Sequence, residues 1–122
     1  MSERPDPADG ARLFHLTSPD AWTVAQREGE LVPDGFEAEG FVHCSTLEQL
    51  VGTIERHFPG IDRLALLELD PEAVADDLRW EESRPGAVFP HLYRPLRSSD
   101  VLTTWPWERG PGGEADLPPE LR

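Results

Sequence analysis

The sequence predicts a single α+β domain, and two observations carry that prediction. Segments with strand character alternate twice with helical segments and then follow one another with little helix between them. That order belongs to folds whose helices gather toward one part of the chain. The length, 122 residues, suits one domain with one real core and no need of staples.

Each element has a local cause. Leu13-Phe14-His15-Leu16-Thr17 alternates into a short strand. Ser18-Pro19-Asp20 reads as a helix start, with a capping hydroxyl, a proline at the first helical position and an acid in the first turn. Trp22, Val24 and Ala25 give that helix its apolar face, and Gly29 ends it. Phe36 to Gly40 is a connection, and Phe41-Val42-His43-Cys44 is a second short strand. Ser45 and Thr46 open the next helix; Glu48 and Gln49 follow them at three residues, so either pair completes a capping box. Leu47, Leu50, Val51, Ile54 and Phe58 keep helical spacing for an inward stripe, which Pro59-Gly60 terminates. Leu64 to Leu69 is mostly apolar, as expected of a central strand covered on both faces. Asp70-Pro71 begins a short helical turn, and Leu78 to Glu81 forms another strand. Phe89 to Tyr93 is a strand containing Pro90, which favours an edge or a bulge. Val101 to Trp105 closes the fold. The domain is expected over residues 12–108. The polar lead over 1–11 is expected to be disordered, and the Gly-, Pro- and Glu-rich segment 109–122 flexible.

The formal net charge is −13, from 24 acidic and 11 basic residues, and every basic residue is an arginine. The arginines are scattered rather than clustered, so the field of the protein opposes RNA and DNA and favours a small ligand. No apolar run is long enough to cross a bilayer, and the first residues carry neither a basic start nor an apolar signal segment. No membrane partner is expected, and the expected compartment is the cytoplasm. The single cysteine, Cys44, excludes an internal disulfide and a Cys-rich zinc site.

Three segments place a histidine beside aromatic or apolar strand residues: Phe14-His15, Phe41-Val42-His43 and Phe89-Pro90-His91. A buried imidazole needs a hydrogen-bond partner, and three such segments in so short a chain point to convergence in one pocket. His57, at a helix end beside Phe58-Pro59, reads as structural, since a cation there suits the helix dipole. Ser45 is an N-cap that can also touch an anionic or ribose-like ligand, because a helix start presents free N–H groups. Cys44 neighbours His43 on a strand, so the two side chains face opposite ways and Cys44 reads as a core thiol. At most one of Glu81 and Glu82 enters the pocket for the same reason, and Glu81 is placed to orient a histidine or bind a hydroxyl. Tyr93 and Arg94 follow His91, where Arg94 is either a phosphate partner or a surface residue. Three imidazoles can hold zinc with one position open, but nothing in their spacing favours it, and no metal is assigned.

Four segments are specific enough to compare with a known family: LFHLTSPDAW, EAEGFVHCSTLEQL, LALLELDPEAVADDLRWEES and FPHLYRPL. Together they resemble the bacterial proteins called domain of unknown function 952, over roughly Leu13 to Trp105. Arg94 departs from the pattern, standing where a glycine is expected before the proline. The resemblance implies an ADP-ribosyltransferase-like fold: two short helices on a split, mostly antiparallel sheet, with NAD bound in a cleft between two small sheets. It implies His15 as the first-strand residue that contacts the ribose of the nicotinamide half. His43 takes the second-strand place, with Ser45 nearby. The third place, a glutamate in the superfamily, falls on His91 or Glu81. The catalytic set so implied is His15, His43, His91 and Glu81; the ligand contacts are His15, Thr17, His43, Ser45, Tyr93 and Arg94; the cofactor is NAD.

The expected function is therefore the binding or processing of NAD, ADP-ribose or a related nucleotide in a histidine-lined cleft, with a transferase-like enzyme favoured. A glutamate near the ribose stabilises the positive charge that develops when the bond to nicotinamide breaks, and a neutral histidine does so less well. Histidine instead serves as a general acid or base near neutral pH. The alternatives are a non-catalytic module for a small metabolite or a protein, and a histidine-based metal site.

Overall fold

The computed structural model describes residues 11–122, so the lead over residues 1–10 lies outside the described residues. The elements are β1 (Leu13–Thr17), α1 (Pro19–Glu28), β2 (Glu30–Leu31), α2 (Phe36–Glu39), β3 (Val42–His43), β4 (Ser45–Thr46), α3 (Leu50–His57), β5 (Arg63–Leu69), α4 (Pro71–Val74), β6 (Leu78–Arg84), β7 (Ala87–Leu92), β8 (Leu96–Arg97) and β9 (Val101–Glu108). Single 3-10 turns fall at Leu47–Gln49, Ala75–Asp77, Ser98–Asp100 and Pro119–Leu121.

The strands form a four-stranded sheet in the order β4-β1-β5-β9, a three-stranded sheet β3-β7-β6 and a pair β2-β8. Every pairing is antiparallel, and the fold is α+β. The chain passes from the three-stranded to the four-stranded sheet at Cys44, the one residue between β3 and β4.

Period-two alternation along β1 and β5 separates two cores. Leu13, Ala65, Leu67 and Leu69 face Ala25 of α1, Val42 and Leu92 of the smaller sheet, and Leu31 and Leu96. Phe14, Leu16, Leu64 and Leu66 face the other way, onto Leu50 and Ile54 of α3. β5 is thus covered on both faces, as its apolar run implies. Leu50 and Ile54 are fully buried, so truncating either to alanine costs about 2–5 kcal/mol.

Local signals set the helix ends. The Ser18 hydroxyl accepts from the Ala21 N–H at 3.0 Å, and Gly29 takes φ 89° to end α1, a left-handed conformation that glycine adopts without steric cost. Of the two capping boxes open to the chain, the Thr46/Gln49 pair forms, with Gln49 Oε1 accepting the Thr46 N–H at 3.0 Å. The Gln49 side chain also donates to the Val88 carbonyl at 2.7 Å, tying this turn to β7.

Three expectations are corrected. Residues 36–40 hold a one-turn helix, α2, not a plain connection. Pro90 sits neither on an edge nor at a bulge: β7 is the middle strand of its sheet, and the irregularity lies between Glu82 and Arg84. The proline is tolerated because its carbonyl, on the same side as its missing N–H, accepts from Cys44 N just past the end of β3. Residues 109–122 are packed rather than loose. Ala115 and Leu121 are buried in the α3-side core, Trp107 Nε1 donates to the Asp116 carbonyl at 2.9 Å, and Arg109 donates to the carbonyls of Phe58, Ile61 and Gly113. Composition alone misread this segment: its few apolar side chains find a wall that the sequence does not display.

Candidate functional site

A cleft of about 460 Å³ opens where the two larger sheets meet. β1 supplies His15 and Thr17, the crossing between sheets supplies His43 and Ser45, and α3 supplies Thr53 and His57. Leu31, Val32, Pro33 and Phe41 give it an apolar wall, and Asp34 stands on its lining.

His15 lies on the Leu13 face of β1, turned toward the smaller sheet. Its Nδ1 is 2.7 Å from the His43 carbonyl oxygen. A carbonyl only accepts, so Nδ1 carries the proton and Nε2 holds the lone pair of the neutral ring. His15 is buried as a residue, yet Nε2 is not among the buried atoms that lack a partner; it is open to the cleft. Burial lowers the His15 pKa, with the bond to His43 opposing that shift. The ring is therefore a neutral acceptor facing the cleft.

His43 is half exposed and pairs through Nε2 with Glu39 Oε1 at 2.9 Å. The carboxylate accepts, so the His43 Nε2–H donates to it. α2 makes this pair possible, because Glu39 closes that one-turn helix just before the chain enters β3.

His91 does not join them at the cleft surface. It is the register partner of His43 across β3 and β7, and the two rings meet edge to face at 5.4 Å. Phe41 stacks on the His91 ring with centroids 4.0 Å apart and planes at 14°, and Phe41, not His91, lines the cleft. Behind the stack, Glu81 Oε1 accepts from His91 Nδ1 at 2.8 Å and from the Tyr93 hydroxyl at 2.7 Å. Those two bonds hold the Glu81 carboxyl below its ordinary pKa, the Tyr93 bond most, and raise the Tyr93 phenol. Arg79 lies 4.7 Å over the Tyr93 ring. His91 Nε2 is buried with no partner among the described residues. The expectation that three histidines meet in one pocket is thus corrected. His15 and His43 share the cleft, whereas His91, Glu81 and Tyr93 form a layer that backs it.

Arg94 is also remote from the cleft. It clamps Asp100 through two nitrogens at 2.8 and 3.2 Å, and reaches Asp77 at 3.0 Å and the carbonyls of Ala73 and Pro95. Asp100 is buried and raises the Arg94 pKa further. The arginine that departs from the family pattern is a brace for the fold, with no donors left for a phosphate.

Cys44 is a core thiol, pushed up to about 12 by burial and, less, by Asp100. His57, read from sequence as structural, lines the cleft with its ring 6.5 Å from that of His43. The missed signal was spacing: Thr53 and His57 are one helical turn apart, on the flank of the Leu50/Ile54 stripe. Thr53 in turn meets Ser45, their hydroxyl oxygens 2.9 Å apart. Among the described residues no group of three or more His, Cys, Asp or Glu side chains is arranged to hold a metal ion. No helix among them is long and apolar enough to cross a membrane.

The crystal structure of protein CC0527 from Caulobacter crescentus is similar to this chain at TM-score 0.81 and 35% identity, covering 90% of this chain and 97% of the other. Its solution NMR structure gives TM-score 0.76 and 36% identity, covering 87% and 92%. No curated protein matches. The family model described as "Protein of unknown function (DUF952)" matches residues 16–104, most of the chain, and the chain belongs to that family.

Proposed function

We propose that the cleft binds a nucleotide-like ligand, of the NAD or ADP-ribose class, through its ribose. The observation that carries this reading is the His15 ring, fixed by its Nδ1–H bond to the His43 carbonyl and open at Nε2. A neutral imidazole nitrogen in a cleft accepts a hydroxyl proton, and a sugar hydroxyl offers such a donor to His15. The apolar wall of Phe41, Pro33 and Val32 suits a flat base. The volume lies within the roughly 300–1,000 Å³ common for ligand pockets. The split between two sheets with a first-strand histidine also matches what an ADP-ribosyltransferase-like ancestry implies. Thr17 and Ser45 line the same cleft and complete its polar side.

As chemistry, this site supplies a general base at His15. One observation favours binding without glycosidic cleavage. The carboxylate that would steady a ribose cation, Glu81, is held behind Phe41 by His91 and Tyr93 and does not line the cleft. The test is calorimetric titration of the full chain with NAD, ADP-ribose and adenosine, followed by chromatography for released nicotinamide. His15→Asn keeps a donor for the His43 carbonyl and removes the Nε2 acceptor. It is expected to weaken binding about tenfold, the worth of one hydrogen bond, with an unchanged melting temperature. Wild-type titrations that stay flat for all three ligands overturn the reading.

A further inference from the structure

We propose that the α3 end of the cleft is a phosphoryl subsite, which holds a phosphate of the nucleotide-like ligand. This rests on the nucleotide reading of the cleft and adds where the ligand's charge is held.

A second, smaller cavity adjoins the main cleft, the two sharing His43, Ser45, Thr53 and His57. It adds Arg56 and Ser83 to the shared residues, with Cys44 and Phe89. In a chain with 24 acids, no carboxylate among the described residues lines it. Arg12 and Arg94 are each seated on carboxylates. The Arg56 guanidinium, by contrast, has no carboxylate or carbonyl partner among the described residues.

The donors present are those a phosphate takes. Arginine offers a fork of N–H groups that grips phosphate oxygens in pairs. The Ser45 and Thr53 hydroxyls lie 2.9 Å apart, and only one proton occupies the line between them. The other is left to donate elsewhere. Ser83 adds a third hydroxyl. Arg56 and His57 stand in the last turn of α3, where arginine charge offsets the partial negative end of the helix. The cleft is thus polarised: an imidazole acceptor for a hydroxyl at His15, and donors for an anion at Arg56.

The experiment titrates isotope-labelled full chain with adenosine, AMP and inorganic phosphate, for wild type and Arg56→Gln, by calorimetry and amide chemical shifts. AMP is expected to bind at least about tenfold tighter than adenosine. Arg56→Gln is expected to erase that gain and leave adenosine binding intact. Equal binding of AMP and adenosine, or equal weakening of both in Arg56→Gln, overturns the subsite and leaves the nucleoside reading standing. If adenosine does not bind, inorganic phosphate decides the subsite alone. Phosphate that shifts the amides of Ser45, Thr53 and Arg56 in wild type but not in Arg56→Gln supports it. No shift, or the same shift in the variant, overturns it.

Discussion

The imidazole of His15 and the carbonyl of His43, 2.7 Å apart, join the two sheets on either side of the cleft. The bond crosses from the middle of the larger sheet to the short strand of the smaller one, so one residue both faces the cleft and fixes its walls.

Burial of the His15 ring gives stability a pH dependence with a definite sign. His15 has a lowered pKa in the folded protein, chiefly through burial. The unfolded chain therefore takes up its proton first as pH falls. Stability is full above the ordinary histidine value of about 6.5 and is lost below it, toward the lowered folded value. Glu68 and Glu81, both lowered by their hydrogen-bond partners, lose their contribution only as pH falls below the ordinary carboxylate range. Urea unfolding at several pH values should show a first loss starting near pH 6.5 that His15→Asn removes, and a second, lower one that it leaves.

The layer behind Phe41 is testable by stability. In Glu81→Ala the His91 Nδ1–H loses its acceptor, while the ring remains buried with Nε2 already without a partner. An unsatisfied buried donor costs about 1–3 kcal/mol, a fall of roughly 5–15 °C in melting temperature for a domain of this size. A melting temperature within 2 °C of wild type, about the effect of a neutral surface change, would show that Glu81 does not orient His91.

Arg94 and Asp100 form a pair nearly shielded from water, with side chains 11% and 3% exposed. Removing one member leaves a buried charge unmatched. Arg94→Ala should lower unfolding free energy by about 3 kcal/mol in denaturant titrations, and leave ligand affinity at low temperature unchanged, since Arg94 does not line the cleft.

The C-terminal segment should behave as part of the core. Leu121 is buried against the cluster that holds Trp107. Leu121→Ala is expected to cost about 2 kcal/mol. Deletion of 109–122 is expected to shift tryptophan emission to the red as Trp107 meets water. An unchanged spectrum and midpoint would place the segment outside the folded unit.

Much of the architecture was legible because it is local. Ser18, Pro19 and Gly29 mark α1 by capping chemistry, and the apolar run at 64–69 shows a strand covered on both faces. The pairing of His15 with the second histidine segment was legible only as an expectation of convergence. What decided it was face: His15 shares the inner face of β1, whereas a single phenylalanine, Phe41, screens His91 from the cleft. No periodicity reports which of two stacked rings is in front. His57 was obscured by a competing local explanation, the helix terminus. Arg94 was misjudged because its buried partner, Asp100, lies in a turn whose burial is set by tertiary packing alone.

The passage between sheets at Cys44 constrains chain length more than chain chemistry. His43 and Ser45 are two positions apart, at most about 7 Å of extended backbone, and both reach the cleft. Substituting Cys44 by another small apolar residue keeps that parity. Inserting or deleting one residue there reverses it and turns the Ser45 hydroxyl away from Thr53. The surface loops can drift in length over evolutionary time, but this junction behaves as a ruler with a single mark.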